Sequence, residues 1–146
     1  MPEPVRIGIV GAESTGKTTL ASELASRLAQ DTGLRVAWVP ELLREWCDRT
    51  GRTPQAHEQA AILHAQHERI EAAAALHDVV VCDTTALMTA VYSRLIFDDR
   101  SLDERAMALH SRMALTLLTA LDLPWVADGH QRDGEQVRAP VDTLLR

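Results

Sequence analysis

The chain has 146 residues, of which 46% are hydrophobic and 25% are charged, a composition typical of globular domains. Its net charge of −6 and its isoelectric point of about 5.4 argue against nucleic-acid binding, which needs concentrated positive charge. No signal-peptide pattern and no apolar run near ~18 residues is present, and the two cysteines lie far apart, so we predict a cytoplasmic protein without a membrane span.

Predicted strands and helices alternate along the chain. Short β-branched or apolar runs predict strands at residues 5–10, 34–39, 79–82 and 114–120. Helices are predicted at residues 17–30, 41–49, 55–76, 84–97, 102–112 and 135–146. The run at 114–120 is ambiguous, because its Leu and Ala residues favour a helix while its length and the loop signals after it favour a strand. The alternation predicts an α/β fold, with a parallel sheet of four strands sandwiched by helices, in one domain over residues 1–146.

A glycine-rich loop follows the first predicted strand. Residues 11–18 read Gly-Ala-Glu-Ser-Thr-Gly-Lys-Thr and match the phosphate-binding pattern G-x-x-x-x-G-K-[ST]. A chance match in a tight turn is the alternative, but the strand before the loop and the helix after it complete the expected strand–loop–helix unit. The pattern therefore predicts a P-loop that binds ATP. The residues predicted to bind ATP are Gly11, Ala12, Glu13, Ser14, Thr15, Gly16, Lys17, Thr18 and Thr19.

The residue types in this loop suit a triphosphate. Gly11 and Gly16 permit backbone angles that a side chain would forbid. Lys17, the only lysine of the chain, can reach the β- and γ-phosphates, and the Thr18 hydroxyl can ligate Mg²⁺. The start of the following helix adds a partial positive charge where the phosphates would sit.

A carboxylate and a guanidinium follow the second predicted strand. Glu41 comes directly after Pro40, which ends the strand, and Arg44 lies three residues later on the same helical face. Together they can orient a polyhydroxy substrate beside the γ-phosphate. The alternative is structural, with an acid in the first helical turn that complements the helix dipole and an arginine at the surface.

An aspartate ends the third predicted strand. The apolar run 79–82 has the composition of a buried central strand, and Asp83 follows it. A carboxylate at the end of a strand near the P-loop is the Walker B arrangement, which holds Mg²⁺ or its water shell. The alternative is that Asp83 caps the helix predicted from residue 84. We favour a metal role for Asp83 together with Thr18, because the P-loop is present.

A loop with glycine and charged residues follows the fourth predicted strand. Gly129 gives it a pivot, and Arg132 can swing over the phosphates and stabilise the charge that develops during transfer. Trp125 can stack on a planar ring. A solvated loop without a role in the site is the alternative.

Four stretches together resemble one known family. They are Gly11 to Thr18, Glu41-Leu42-Leu43-Arg44-Glu45, Cys82-Asp83-Thr84 and Pro124-Trp125-Val126-Ala127-Asp128-Gly129. In order and spacing they resemble the ribosylnicotinamide kinase domain of NadR-type regulators of NAD biosynthesis and related AAA-like P-loop ATPases. The resemblance implies ATP and Mg²⁺ as cofactors and transfer of the γ-phosphoryl group to the 5′-hydroxyl of nicotinamide riboside, which gives the mononucleotide.

The resemblance also implies roles for single residues. Lys17, Asp83, Glu41 and Arg132 would be catalytic, with Asp83 serving the metal or acting as base. A second set would face the small-molecule acceptor, comprising Glu41, Arg44, Gln66, Trp125 and Asp128.

The chain departs from this family in three respects. No adenylyltransferase domain or helix-turn-helix precedes the kinase-like part, Pro40 and Leu42 flank Glu41 where the family often has an aromatic residue, and the sequence stops at Arg146, before an expected fifth strand.

We therefore expect a nucleoside-type kinase without nucleic-acid or membrane partners. The alternative is a P-loop ATPase, or a nucleotide-responsive binding module without kinase activity.

Overall fold

Parallel pairing of four short strands organises the part of the chain that the structure describes. The computed structural model describes residues 3–12, 15–121 and 138–146. Within these ranges the sheet has the order β2-β3-β1-β4 and all of its pairs are parallel. The strands are β1 (Val5–Val10), β2 (Val36–Val39), β3 (Val79–Asp83) and β4 (Leu115–Leu118). The helices of the described residues are α1 (Lys17–Thr32), α2 (Leu42–Thr50), α3 (Gln59–Ala74), α4 (Ala86–Phe97), α5 (Asp103–His110) and α6 (Arg138–Leu145).

The two central strands carry the core. Successive side chains of β3 point to opposite faces of the sheet, as the period of a strand requires. Val80 and Cys82 pack with Ile70 of α3 on one face, while Val81 packs with Ala21 of α1 on the other. Since both faces are covered, β3 is apolar until its last residue, and this explains why a continuous apolar run marks it in the sequence.

The register between β1 and β3 sets the position of the predicted metal-binding carboxylate. Val5 pairs with Val79 and Ile9 pairs with Asp83, so the two strands run side by side over their whole length. Asp83 is therefore beside Ile9, which lies two residues before Gly11. The carboxyl ends of all four strands meet at this same edge of the sheet, as in other parallel α/β folds.

The observed element boundaries differ slightly from the predicted ones. The long helix predicted over residues 55–76 begins with a 3₁₀ helix at Ala56–Glu58 and continues as α3 to Ala74. The helix predicted from residue 84 begins at Ala86, because Thr84 has a φ of 92° and Thr85 is the N-cap, whose side chain accepts a hydrogen bond from the Leu87 amide. No helix within the described ranges is long and apolar enough to cross a membrane.

A histidine links the start of α4 to the edge strand. His110, at the end of α5, lies 2.8 Å from the Thr85 hydroxyl through Nδ1 and 2.9 Å from the Thr116 hydroxyl through Nε2. A neutral imidazole can accept from one hydroxyl and donate to the other. Burial lowers the pKa of His110, so the folded chain favours this neutral form.

The lowered pKa of His110 predicts a loss of stability in acid. The folded state binds a proton on His110 less readily than the unfolded chain, whose histidine pKa is about 6.5. The free energy of unfolding should thus be level above that pH and fall as the pH drops from about 6.5 towards the lower folded pKa. Burial also lowers the pKa of His67, which adds to the same slope. The free energy of unfolding, measured by urea unfolding at several values from about pH 7.5 to about pH 5, should fall less steeply with falling pH for His110→Gln than for the wild type.

His64, which is exposed on α3, provides the control. His64→Gln should keep the wild-type slope, and an equally steep slope in His110→Gln would contradict the prediction.

Candidate functional site

The P-loop connects β1 to α1 and opens onto the start of that helix. Gly16 is the N-cap of α1 and has a φ of 84°, a left-handed conformation that favours glycine. Among the described residues no side chain caps the helix, and its first turn contains no acidic residue. The first amides of α1 therefore have no intrahelical acceptor and can donate to an anion, aided by the positive end of the helix dipole. Glu13 and Ser14 lie outside the described residues.

Lys17 lies against the loop itself. Its Nζ donates a hydrogen bond to the carbonyl oxygen of Ala12, at 3.1 Å. A lysine ammonium on a flexible four-carbon stem can exchange this carbonyl for phosphate oxygens when they enter the loop. Thr19, by contrast, is exposed on the first turn of α1, so its amide rather than its side chain is the group that can face a phosphate.

Thr18 and Asp83 meet across 65 residues of sequence. The Thr18 hydroxyl donates a hydrogen bond of 2.6 Å to Oδ2 of Asp83, which is 1% exposed. The other carboxylate oxygen, Oδ1, is buried and has no hydrogen-bond partner within the described residues. Asp83 is the last residue of β3 and Thr85 caps α4, so the structure does not support the capping alternative for Asp83.

This pair fits Mg²⁺. Hydroxyl and carboxylate oxygens are the hard ligands that Mg²⁺ takes, and the ion commonly uses only one or two protein oxygens beside phosphates and waters. An orphaned carboxylate oxygen in a buried position is costly unless a cation or a water satisfies it. Thr18 and Asp83 are thus the side chains that would hold the metal, and the metal role of this pair stays a prediction.

Three of the residues predicted to bind the phosphoryl acceptor, Glu41, Arg44 and Gln66, lie on α2 or contact its start. Glu41 is the N-cap of this helix and half-buried, while Arg44 is exposed one turn later. Gln66 is 1% exposed on α3, and its Oε1 accepts a hydrogen bond of 2.7 Å from the Leu42 amide. Gln66 thus caps α2 from a neighbouring helix, a task that the Glu41 side chain does not perform. Its Nε2 is buried without a partner among the described residues.

Strand register brings Glu41 to the sheet edge that carries Asp83. Val39 of β2 pairs with Cys82 of β3 in parallel, so both strands end at the same edge of the sheet. Glu41 follows β2 by two residues, and Asp83 follows Cys82 by one. The residues Trp125, Asp128 and Arg132, which were predicted for a closing loop, lie outside the described residues.

Two features of the site were missed by the sequence analysis. Thr119, directly after β4, contacts the P-loop through the Thr15 hydroxyl at 2.5 Å. Thr84 combines its positive φ with a buried hydroxyl that has no partner within the described ranges. Strained β-branched residues of this kind cost about 1–3 kcal/mol and cluster at functional sites. A hydroxyl at the end of a strand that could neighbour the P-loop strand was the available signal for Thr119.

Comparisons with known proteins bear on the family and the fold of the chain. A family model described as AAA domain matches residues 6–146, whereas the curated proteins give no match. Similar solved structures include NadR protein in complex with NR, at a TM-score of 0.74 and 23% identity, covering 98% of this chain and 41% of that one. NadR protein in complex with NAD and AMP-PNP gives 0.71 and 23%, with coverage of 98% and 40%. Thymidylate kinase from Ehrlichia chaffeensis gives 0.61 and 19%, with coverage of 83% and 74%.

The predicted fold is confirmed by these likenesses. The described chain has a P-loop kinase-like fold with a four-stranded parallel sheet and helices on its faces. It spans about two fifths of the length of the NadR chains that it resembles.

Removing the charge of Asp83 should uncouple nucleotide binding from Mg²⁺. Asp83→Asn keeps the shape of the side chain but replaces an anionic oxygen with an amide, so Mg²⁺ affinity should fall at least ~10-fold, the lower end of the loss seen when even indirect partners of a metal are changed. Calorimetric titration with ATP, in Mg²⁺ and again in EDTA, measures this difference.

Asp78 precedes the same strand at the opposite edge of the sheet and pairs with Arg35, so it supplies the control. Asp78→Asn should leave the Mg²⁺ dependence intact. Unchanged Mg²⁺ dependence in a folded Asp83→Asn protein would contradict the metal role.

Proposed function

We propose that this chain is an ATP- and Mg²⁺-dependent phosphotransferase that acts on a small nucleoside-type acceptor. The premise is that the chain belongs to the AAA domain family. The observation that carries the proposal is the Thr18–Asp83 contact at the end of a P-loop whose helix has no side-chain cap from the part of the chain that the structure describes. The kinase-like fold supports phosphoryl transfer over other uses of a P-loop. Nicotinamide riboside is the acceptor that we name, on the resemblance described above.

Binding of the donor nucleotide follows from the loop. The amides at the start of α1 would receive the phosphate oxygens, and Lys17 would turn from the Ala12 carbonyl to the β- and γ-phosphates. Thr18 and Asp83 would hold Mg²⁺, which would neutralise charge on the phosphate oxygens. The loop thus contributes fixed positive groups that require no rearrangement as charge moves to the leaving oxygen.

Transfer requires an acceptor hydroxyl in line with the γ-phosphate. The hydroxyl oxygen forms a bond to the γ-phosphorus, the bond from that phosphorus to the bridging oxygen breaks, and ADP leaves with the electron pair. The hydroxyl proton goes to a carboxylate, for which Glu41 is our candidate because Asp83 already accepts from Thr18. Arg44 and Gln66 would orient the riboside, with Trp125, Asp128 and Arg132 completing the site.

The remaining parts of the proposal concern context. We assign the reaction to NAD biosynthesis in the cytoplasm, carried out by a P-loop domain spanning residues 1–146. A P-loop ATPase or binding module without an acceptor is the competing function, which the following assay distinguishes.

Turnover in the presence of an acceptor is the direct test. Protein, ATP and Mg²⁺ are mixed with a panel of nucleosides that includes nicotinamide riboside, and ADP release and phosphorylated product are measured. Nicotinamide riboside should stimulate ADP release and yield the mononucleotide in equal amount. ADP release that no acceptor changes would refute the kinase and favour the ATPase.

Lys17→Ala should reduce the rate of phosphoryl transfer at least ~10²-fold, because a fixed cation near the developing charge is the main catalytic device of such a site. The turnover number under saturating ATP is the measurement. Arg27→Ala, on the exposed part of the same helix, is the matched control and should keep the wild-type rate. Normal turnover by a folded Lys17→Ala protein would eliminate the role assigned to the lysine.

A further inference from the structure

Two buried threonines connect the edge strand to the P-loop. Thr119 directly follows β4, and its amide donates to the Val10 carbonyl at 2.9 Å, which brings the residue beside the start of the loop. The Thr119 and Thr15 hydroxyl oxygens are 2.5 Å apart, although 104 residues separate them in sequence. Both residues are buried, with exposed fractions of 8% and 6%. The contact therefore lies inside the protein, where water does not compete for it.

The number of hydroxyl protons decides which of the two threonines donates in this hydrogen bond. The Thr15 hydroxyl donates to the Ala12 carbonyl at 2.7 Å, and a carbonyl cannot return a proton. The single Thr15 proton is thereby used, so Thr119 donates across the 2.5 Å contact. The other acceptor near the Thr119 hydroxyl, the Val10 carbonyl, is 3.4 Å away, so it is the weaker partner. The result is a chain from Thr119 to Thr15 to Ala12, in which each hydrogen bond polarises the next.

The chain ends at the carbonyl that holds Lys17. Ala12 oxygen accepts from the Thr15 hydroxyl and, at 3.1 Å, from Lys17 Nζ. The position of this oxygen therefore fixes where the ammonium rests in the loop. Thr119 acts on the position of that ammonium only through Thr15 and Ala12.

Gly11 accommodates the same contact. A Cβ on Gly11 would overlap the Thr119 hydroxyl, and the β-branched Thr119 side chain has little rotamer freedom with which to move away. Glycine at the first position of the loop is thus required by the approach of β4 as well as by the phosphate. The loop and the edge strand fit each other at this point.

We infer that Thr119 is a positioning residue for nucleotide binding, which holds the P-loop in its binding conformation through the Thr15 hydroxyl. The inference rests on the proposed binding of ATP by this loop. Thr119 touches no substrate in this role, and what it contributes is a fixed position of Thr15 and Ala12 before the phosphates arrive.

A matched pair of substitutions isolates the hydroxyl. Thr119→Ser removes only the methyl group, whereas Thr119→Ala removes the methyl and the hydroxyl; a valine would place a methyl group too close to Thr15. Calorimetry with ATP and with ADP in Mg²⁺ gives the dissociation constants, and urea unfolding without nucleotide gives the stability. Thr119→Ala should bind about fivefold to tenfold more weakly than Thr119→Ser, the equivalent of one net hydrogen bond. Thr119→Ser should stay within about twofold of the wild type.

A double-mutant cycle tests the route through Thr15. If the effect of Thr119 passes through that hydroxyl, the Thr15→Ala/Thr119→Ala protein should bind no more weakly than Thr15→Ala alone. Thr116→Ala is the control on the same strand, because its hydroxyl faces His110, and it should keep wild-type nucleotide affinity.

Any of four results would overturn the inference. Equal affinities of Thr119→Ser and Thr119→Ala would show that the hydroxyl is not used, and additive losses in the cycle would show that Thr15 does not transmit the effect. Absence of ATP and ADP uptake by the folded wild type would overturn the proposed function and this inference together, whereas wild-type uptake with unaffected Thr119→Ala affinity would overturn the inference alone.

Discussion

The parallel pairing of β1 with β3 is the constraint on which the candidate site depends. β1 delivers the chain to the P-loop, and β3 delivers the buried carboxylate, so their register decides whether Asp83 meets Thr18. A slip of one residue would move every β3 side chain to the other face, exchanging the positions of Val80 and Val81 between α3 and α1. The apolar packing of β3 on both faces is therefore what holds a hydrophilic pair in contact.

Buried polar atoms without partners gather around this same edge. Asp83 Oδ1, Thr84 Oγ1 and Gln66 Nε2 are each buried and unsatisfied within the described residues. Such groups cost about 1–3 kcal/mol each when nothing pairs with them, and the strained backbone of Thr84 adds a similar penalty. Local rules of stability are broken most often where a protein functions. Asp83 and Thr84 lie beside Ile9, near the end of the strand that leads into the P-loop, which agrees with a site whose own ligands complete its hydrogen bonds.

Local patterns in the sequence predicted much of this arrangement. The strand–loop–helix unit around the P-loop is contiguous, so its residues and its bounds follow from one stretch of chain. Asp83 was predicted as a site residue because an apolar run that ends in an acidic residue indicates a buried strand with a carboxylate at its end. This interpretation does not require knowledge of the strand order. The start of α4 was predicted less accurately. The left-handed φ of Thr84 prevents the helix from beginning there, so that Thr85 caps it, and helix propensity does not reveal this.

The contacts that the sequence did not predict join residues that are far apart in the chain. The same contacts hold the site together. Gln66 reaches the Leu42 amide across 24 residues, and Thr119 reaches Thr15 only because β4 pairs with β1. The P-loop is thus tethered on one side to β3 through Thr18 and on the other to β4 through Thr15. Each tether needs β1 to pair with one neighbouring strand, and both together need the pairing of β3, β1 and β4, so a nucleotide that selects the tethered loop also selects these paired strands. By mass action, such a ligand would stabilise the whole parallel sheet rather than the loop alone, because binding to the native state shifts the unfolding equilibrium as a unit.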